Sequence, residues 1–275
     1  METRDIESWS LFPAAIKQIR EEYGQRETAL PDGTTETRPV DIVFRGQADA
    51  AWQLQSTLDR SSDREFSVTS YLERATSVQN AIESVSKRKW DLLSFPDIRE
   101  EINKISDSLR VHLPCYEYLV YLRHLGFPSP LIDWTFSPYV AAYFAMESAR
   151  SERTAVFAFI ELPDGGKSKI AGKPQINYHG PYVTTHERHV AQKAVYTTAT
   201  KWNSDRHQHY FCSHADGVEW KGNWQDVLIK ITLPTSDRLL ALRELEDFNI
   251  NHYTLFQSED SLVRWQGLRA FELEI

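Results

Sequence analysis

Cysteines and long apolar runs are scarce in this sequence, and each scarcity excludes a class of protein. Its 275 residues include two cysteines, Cys115 and Cys212, which are too few for a disulfide framework or a thiolate metal cage. No apolar run reaches the roughly 18 residues that a membrane-spanning helix needs, and the first residues lack the apolar core of a signal peptide. We therefore expect a soluble, cytoplasmic protein without a membrane partner.

The sequence also lacks an excess of positive charge. Its formal net charge is −8 and its isoelectric point is near 5.6, so it carries no electrostatic footprint of a nucleic-acid-binding protein. What it does contain is ordinary for a globular chain: 41% hydrophobic residues, 25% charged residues and eight tryptophans. The length suffices for a sizeable core in one large or two small domains.

Helical patterns dominate the first half of the chain and strand patterns the second half. Helices are predicted over residues 8–23, 63–89 and 97–124, the last divided at Pro114, and strands over 41–47, 154–160 and 226–233. Residues 24–39, polar and interrupted by Pro-Asp-Gly, predict a flexible loop, and 251–256 an extended segment. We expect an α+β protein in which a helix and loop over residues 1–39 precede a single domain over residues 40–275.

A polar cluster at the start of an apolar helix is the most informative local feature. Ser137 followed by Pro138 is typical of a helix start, and Asp133 and Thr135 lie just before it. Buried polar groups must be hydrogen-bonded to one another or to a ligand, and a helix N-terminus favours an anion such as phosphate. The alternative is a capped core helix with a structural contact between Asp133 and Trp134.

A second candidate site lies at the end of the predicted strand over residues 41–47. Arg45 is well placed there for a bidentate grip on phosphate or carboxylate, and Gly46 permits a close approach of the backbone. The alternative is that Arg45 forms a salt bridge with an interior carboxylate such as Asp133. Trp52 follows a few residues later. Both it and Trp134 are of a residue type that more often packs in a core than stacks on a base.

Three ordered motifs of this sequence resemble those of the FRG domain, a bacterial and phage module named for a Phe-Arg-Gly signature. The motifs are Phe44-Arg45-Gly46-Gln47 with Trp52 and Ser56–Arg60; His124-Leu-Gly126 with Leu131-Ile-Asp133-Trp134-Thr135-Phe-Ser137-Pro138 and Ala141-Ala-Tyr-Phe144-Ala145; and Glu187-Arg188 through Gln192 with Val195-Tyr-Thr197. The resemblance spans roughly residues 40–265. The second motif is the most specific of the three.

The FRG domain in turn resembles the ADP-ribosyltransferase fold, which implies a split β-sheet core and an NAD-like ligand. By position, Arg45 with Gly46 and Gln47 would hold the adenosine side, and Thr135, Ser137 and Tyr143 the nicotinamide side. The family's catalytic Glu falls where this sequence has Gln192, with Glu187 a turn earlier. A neutral Gln can hydrogen-bond a ribose hydroxyl, but it cannot stabilise an oxocarbenium ion as a carboxylate does.

The main functional hypothesis is an enzyme that processes an adenine dinucleotide. Arg45 and Arg188 would bind phosphates, and Trp134 or Tyr143 would stack on a base. Asp133, Glu187 or a histidine, His124 or His189, would be the general base. The reaction would be ADP-ribosyl transfer, NAD hydrolysis, or attack of a ribose hydroxyl on a phosphate of a dinucleoside polyphosphate, and the resemblance implies a role in phage defence or as a toxin.

Two other hypotheses stay open. The first is a catalytically inactive module that senses a nucleotide or a phage component. The second is a metal site in His207-Gln-His209-Tyr-Phe-Cys212-Ser-His214, whose spacing suits zinc, although a lid loop fits this stretch better. We expect no resident cofactor or metal, a small-molecule nucleotide as the partner, and no direct contact with nucleic acid. A protein partner stays open.

Overall fold

The protein is described here by a computed structural model that covers residues 1–105, 113–163, 165, 172–180, 188–219 and 225–273. The strands are β1 (Glu2–Asp5), β2 (Gln25–Ala29), β3 (Thr35–Pro39), β4 (Ile42–Gln47), β5 (Ile132–Thr135), β6 (Arg153–Glu161), β7 (Pro174–His179), β8 (Ala194–Asn203), β9 (Gln208–Phe211) and β10 (Asp226–Pro234). The helices are α1 (Phe12–Tyr23), α2 (Thr57–Ser61), α3 (Val68–Ser77), α4 (Gln79–Ser86), α5 (Phe95–Ile105), α6 (Tyr116–His124), α7 (Pro138–Glu147), α8 (Arg188–Gln192), α9 (His214–Glu219), α10 (Arg238–Asp247), α11 (His252–Phe256) and α12 (Glu259–Leu268).

One curled, mixed sheet organises the described part of the chain. Its strand order is β1-β10-β6-β4-β5-β8-β7, with β9 paired to β8, and the β1–β10 pair is parallel while the others are antiparallel. The middle of the sheet is its weakest point, because β4 and β5 are joined by a single residue pair, Phe44 with Thr135. Beyond that pair, β4 continues to pair with β6, and β5 continues to pair with β8. The sheet is therefore split between β4 and β5.

Helices and apolar side chains cover both faces of this sheet. Alternate residues of β4 and β6 point to opposite faces, as the pleat requires, so that Phe44 and Ala158 join one core and Val43 and Phe159 join another. The first core lies under α1, α7 and α10, and a third core joins α3, α5 and α6 to β8. The α7 helix is buried almost all round, as its near absence of charge indicates.

Much of the predicted secondary structure is confirmed. The β4, β6 and β10 strands lie within two residues of their predicted ranges, and α1 ends at the predicted residue but begins four residues later than predicted. The Ser137 side chain accepts a hydrogen bond from the Val140 amide, so Ser137 is the N-cap of α7 as predicted. Pro114 divides the predicted helix over 97–124, since α5 ends before it and α6 begins after it. Helices and a mixed sheet thus coexist in one chain, as the α+β prediction requires.

Several predictions of local structure are wrong. Residues 24–39 form the β2–β3 hairpin instead of a flexible loop. Residues 251–256 form the α11 helix, because Asn251 and Thr254 make a capping box whose hydrogen bonds the extended reading overlooked. The β1, β7 and β9 strands were not predicted. They are short and contain many polar residues, so the alternation of apolar and polar residues that indicates a strand is not visible in them.

The first 39 residues are integrated with the rest of the chain. Trp9, Phe12 and Ile19 of this segment are buried in the same core as β4 and α7, and β1 extends the sheet through its pairing with β10. None of the described helices has the length and apolar character to cross a lipid bilayer.

Gly46 sets the distance between β4 and α7. A Cβ atom at this position would collide with the carbonyl oxygen of Ala141 and would lie 2.7 Å from the amide nitrogen of Ala145. Both of these are backbone atoms of a buried helix, which cannot move aside as a flexible side chain can. Gly46 is therefore required for the packing of α7 on the strand, a structural reason for glycine that is separate from the expected approach of its backbone to a ligand.

We expect Gly46→Ala to lower the free energy of unfolding by about 1–3 kcal/mol or more, because the added methyl group overpacks the junction of β4 and α7. Gly267→Ala in α12 is the matched control. No atom lies within 4 Å of the added methyl group there, and alanine favours a helix over glycine by up to about 1 kcal/mol. Urea unfolding of the three proteins measures both effects, and equal stability of the two variants would contradict the assignment.

Candidate active site at the split of the sheet

A cavity of about 920 Å³ opens where β4 and β5 separate. Its wall comes from the end of β4 and the loop after it, from β5, from the start of β8, and from the helices α2, α6, α7, α8 and α11. The lining residues are Phe44, Arg45, Gly46, Gln47, Ala48, Ala51, Trp52, Gln53, Gln55, Arg60, His124, Asp133, Trp134, Thr135, Ala141, Phe144, Ser148, Gln192, Ala194 and Phe256. Eight of the candidate residues from the sequence thus meet at one cavity: Arg45, Gly46, Gln47, His124, Asp133, Trp134, Thr135 and Gln192.

Arg45 bridges the split between the two strands. Its Nη1 donates to the backbone carbonyl oxygen of Asp133 at 3.0 Å and lies 3.8 Å from the Asp133 carboxylate. The guanidinium group thereby contacts a β5 carbonyl where β4 and β5 have stopped pairing. The Arg45 Nε is buried and has no hydrogen-bond partner among the described residues, and the same holds for the Gln47 Oε1. A donor and an acceptor of this wall therefore have hydrogen-bonding capacity that the described residues do not use.

The principal partner of Asp133 is Arg123, in the last turn of α6. The Arg123 guanidinium donates Nε and Nη2 to the two carboxylate oxygens in a bidentate pair. Burial opposes ionisation of Asp133, but the positive charges and hydrogen bonds of Arg123, helped by Arg45, outweigh it and lower the pKa of Asp133 to about 2. A carboxylate with so low a pKa is a weak proton acceptor at neutral pH. The geometry therefore favours an anchoring role for Asp133 over the predicted role as general base.

Sequence reasoning missed Arg123 as part of the site. A basic residue in the last turn of a helix is an ordinary favourable charge for the helix dipole, so its position gave no functional signal. The one available signal was its place directly before His124, at the start of the second motif. The alternative reading of Asp133 as the partner of Arg45 is correct in part, since Arg45 does contact it but is the weaker of its two arginine partners.

The charged side chains at this cavity favour an anionic ligand. Arg45 and Arg60 line it, and Asp133 is already neutralised by Arg123. Burial lowers the pKa of Arg45 to about 10, with the neighbouring arginines adding to this effect and Asp133 opposing it. Arg45 still carries its charge at neutral pH. The wall is therefore locally positive in a protein whose net charge is −8.

The two tryptophans of the cavity have opposite environments. Trp134 is 2% exposed, donates its Nε1 to Thr197 Oγ1 at 2.7 Å and packs on Phe159, so its ring belongs to the core and the expected stacking on a base is not available to it. Trp52 is 57% exposed and is the better candidate for a stacking platform. Phe144 and Phe256 contact each other edge-to-face and form another aromatic part of the wall.

Two candidate catalytic residues reach the cavity from two different helices. His124, at the end of α6, has its Nε2 2.9 Å from the Tyr196 hydroxyl. Gln192, at the end of α8, donates its amide group to the Leu255 carbonyl oxygen at 3.1 Å. Gln192 thus links α8 to α11 while lining the cavity.

Other candidates lie elsewhere. Ser137 caps α7 and its own amide donates to Thr135 Oγ1 at 3.1 Å. The cavity meets the flank of α7 instead of its N-terminus, so the expected phosphate site at that helix end is not part of this cavity. Tyr143 faces a separate cavity of about 410 Å³ beside Glu147. Arg188 begins α8, but its side chain, like the whole of Glu187, lies outside the described residues.

The histidine-rich stretch over 207–214 has local partners. The His214 Nε2 lies 2.9 Å from Thr197 Oγ1, and burial lowers the pKa of His214 to about 3, with the charge of Arg45 adding to the effect. His209 packs edge-to-face on Trp202. Across the described ranges, no three His, Cys, Asp or Glu side chains are grouped as metal ligands would be.

Comparison with known families matches this site to one of them. The family model of the FRG domain matches residues 40–154. Over these residues the chain is similar to the FRG domain. The matched segment carries the two motifs around Arg45 and Asp133, together with Arg123 and His124. The third motif lies beyond the matched residues. No curated protein and no solved structure matched the chain.

Acid should weaken the pair of Asp133 with its arginines. Because the pKa of Asp133 in the folded protein lies below its ordinary value near 4, the pair stabilises the fold above about pH 4 and this contribution is lost as the pH falls toward 2. The Asp133 side chain is 39% exposed, so solvent screening reduces the effect to the order of 1 kcal/mol.

We expect Asp133→Asn to be less stable than the wild-type protein at pH 7, because two arginines then lack their counter-charge. Between pH 4 and pH 2 the difference between the two proteins should shrink, as the wild type loses the same charge. Chemical unfolding as a function of pH measures this, and Asp205→Asn in the exposed turn after β8 is the control. A difference that is constant with pH would contradict the assignment.

Proposed function

We propose that this chain binds an adenine dinucleotide in the cavity at the split of the sheet and catalyses a reaction at one of its phosphates or riboses. The observation that carries this proposal is the combination of the exposed Trp52 ring with Arg45 and Arg60 in one cavity. A planar aromatic surface beside fixed positive charges suits a nucleotide, which joins a flat base to a charged phosphate.

The dimensions and polarity of the cavity support the same ligand class. Its volume of about 920 Å³ lies within the range of about 300–1,000 Å³ that is common for small-molecule sites. Stacking of a base on an aromatic ring contributes about 1–3 kcal/mol. The buried Arg45 Nε and Gln47 Oε1 would supply a hydrogen-bond donor and an acceptor to the sugar or phosphate.

Among the reactions considered, attack of a ribose hydroxyl on a phosphate fits these residues best. The hydroxyl oxygen would form a bond to phosphorus, the bond from phosphorus to the departing phosphate oxygen would break, and the hydroxyl proton would pass to His124. Arg45 and Arg60 would balance the charge on the phosphate oxygens. Gln192 is suited to orient a ribose hydroxyl.

Transfer or hydrolysis of an ADP-ribosyl group is the competing reaction. Its transition state resembles an oxocarbenium ion, which is stabilised by a carboxylate whose negative charge is not already paired. Asp133, the carboxylate that the described residues bring to this wall, is already held by Arg123. That pairing of Asp133 with Arg123 favours the second candidate function, a binding module that senses a nucleotide without turnover.

The resemblance to the family supplies further predictions. They are an ADP-ribosyltransferase-like origin of the fold, a cytoplasmic location, and a role in phage defence or as a toxin.

The test is incubation of the purified protein with NAD, NADH, ATP and diadenosine polyphosphates, with products separated by chromatography and identified by mass spectrometry. We expect turnover of a dinucleotide, reduced at least tenfold in Trp52→Ala and in Arg60→Ala. Both side chains are exposed, so these variants should fold normally.

Two matched substitutions outside the cavity serve as controls. Phe271→Ala removes another exposed aromatic side chain, and Arg38→Ala removes an exposed arginine of the β2–β3 hairpin; neither should change turnover. Binding that Trp52→Ala weakens, without any product, would favour the sensing module. No binding and no turnover with any ligand of the panel would contradict the proposal.

A further inference from the structure

A second cavity, of about 410 Å³, lies where the C-terminal end of α7 meets α10, α11 and α12. Its charged lining consists of three arginines and two glutamates: Arg150, Arg238, Arg264, Glu147 and Glu272. With His252 counted as neutral, this lining carries one surplus positive charge. Ser148 lines both this cavity and the larger one at the split of the sheet, so the two cavities adjoin at the end of α7.

Both carboxylates of the second cavity are already paired with protein groups. The Glu147 Oε1 lies 2.5 Å from Nη2 of Arg264, and its Oε2 accepts a hydrogen bond from the Ser148 hydroxyl group at 2.5 Å. The Glu272 carboxylate accepts from Nη1 of Arg238 at 2.5 Å. The negative charge of each glutamate is therefore offset by an arginine before any ligand binds.

Arg238 also caps the C-terminal end of α7. Its Nε donates to the Met146 carbonyl oxygen at 2.9 Å, and its Nη2 donates to the Glu147 carbonyl oxygen at 3.1 Å. The C-terminal end of a helix carries a partial negative charge, which repels an anion. Because a guanidinium group occupies two of the carbonyl oxygens at this end, the repulsion is reduced at the second cavity.

The hydroxyl group of Tyr143 is a hydrogen-bond donor without an acceptor. Tyr143 is 2% exposed, and its hydroxyl group has no hydrogen-bond partner among the described residues. The charges of Glu147, Arg264 and Arg238 act on this hydroxyl group, so it lies on the side of the second cavity. Burial raises the pKa of Tyr143, so the hydroxyl group keeps its proton. A buried polar group without a partner is costly, and a ligand acceptor would remove that cost.

Two arginines of the lining have donors that are not used. Arg150 is exposed and forms no ion pair or hydrogen bond with a described residue. The Arg264 side chain is 59% exposed and gives one of its five N–H groups to Glu147. These arginines and Tyr143 all have hydrogen bonds to donate, so their side of the second cavity is complementary to an anion rich in acceptor oxygens.

We propose that the second cavity is a phosphate site, in which Arg150, Arg264 and Tyr143 bind the oxygens of a phosphate or pyrophosphate group. Guanidinium groups match the geometry of phosphate oxygens, and the Tyr143 hydroxyl group adds a buried hydrogen bond. The phosphate has two possible sources, a free anion or the nucleotide of the first cavity, since the cavities adjoin at Ser148. Only the nucleotide source rests on the function proposed above.

The phosphate site is tested by calorimetric titration of the full chain with pyrophosphate, at an ionic strength held constant with sodium chloride because salt screens exposed charges. We expect the Kd of pyrophosphate to rise about tenfold in Arg150→Ala and in Tyr143→Phe, since each removes a hydrogen bond to a charged group. Tyr143→Phe keeps the buried ring, and Arg150 is exposed, so both variants should fold normally.

Arg38→Ala, which removes an exposed arginine of the β2–β3 hairpin, is the matched control and should bind pyrophosphate as the wild type does. Binding confined to the first cavity would give a Kd that neither Arg150→Ala nor Tyr143→Phe changes. An unchanged Kd in either of these variants, or no binding of pyrophosphate by the wild type, would overturn the proposal.

The source of the phosphate is decided by competition between pyrophosphate and the dinucleotide that the panel identifies as a ligand. Mutual exclusion, with both ligands weakened in Arg150→Ala, would assign the site to a phosphate of the dinucleotide. Simultaneous binding of the two would assign it to a free anion. If the protein binds no dinucleotide, the proposed function fails, and the pyrophosphate titration still decides whether the second cavity is a phosphate site.

Discussion

The ion pair between Arg123 and Asp133 is the interaction on which the site depends. It joins the end of α6 to β5 at the place where the sheet has lost its main-chain pairing, and Arg45 adds a hydrogen bond from β4 to the same residue. A split sheet exposes backbone groups that the lost ladder would have satisfied, and such groups are costly when buried. The guanidinium of Arg45 satisfies one of them, the backbone carbonyl oxygen of Asp133.

The same interaction explains why this cavity contains positive charge in an acidic protein. A lone buried arginine would be strongly destabilising, whereas Arg45 and Arg123 share one carboxylate. Sharing leaves the group of three residues with one surplus positive charge. Two strands and a helix hold these side chains in place before a ligand binds. An anionic ligand would therefore bind without the entropy cost of ordering them.

The sequence identified the motif residues of the site but not their geometry. Arg45, Asp133 and His124 were recognised from local patterns, and they do meet at one cavity. Patterns along a chain reveal which residues are unusual for their position, as a Ser-Pro helix start or a polar cluster before an apolar helix is. Arg123 was missed because a basic residue at a helix end is ordinary, and its role arises from a contact with a strand ten residues later that no local pattern encodes. The exposure of Trp52 and the burial of Trp134 depend in the same way on tertiary packing.

The parallel pairing of β1 with β10 has a consequence for how the chain folds. Glu2 lies beside Ile229 in this pair, so the outermost strand on that side of the sheet cannot form until β10 has been synthesised. Contacts between residues so far apart in sequence carry a large loop-closure entropy and are typical of slow folding. Until then β1 lacks the strand with which it pairs, and unpaired strand edges favour aggregation during folding.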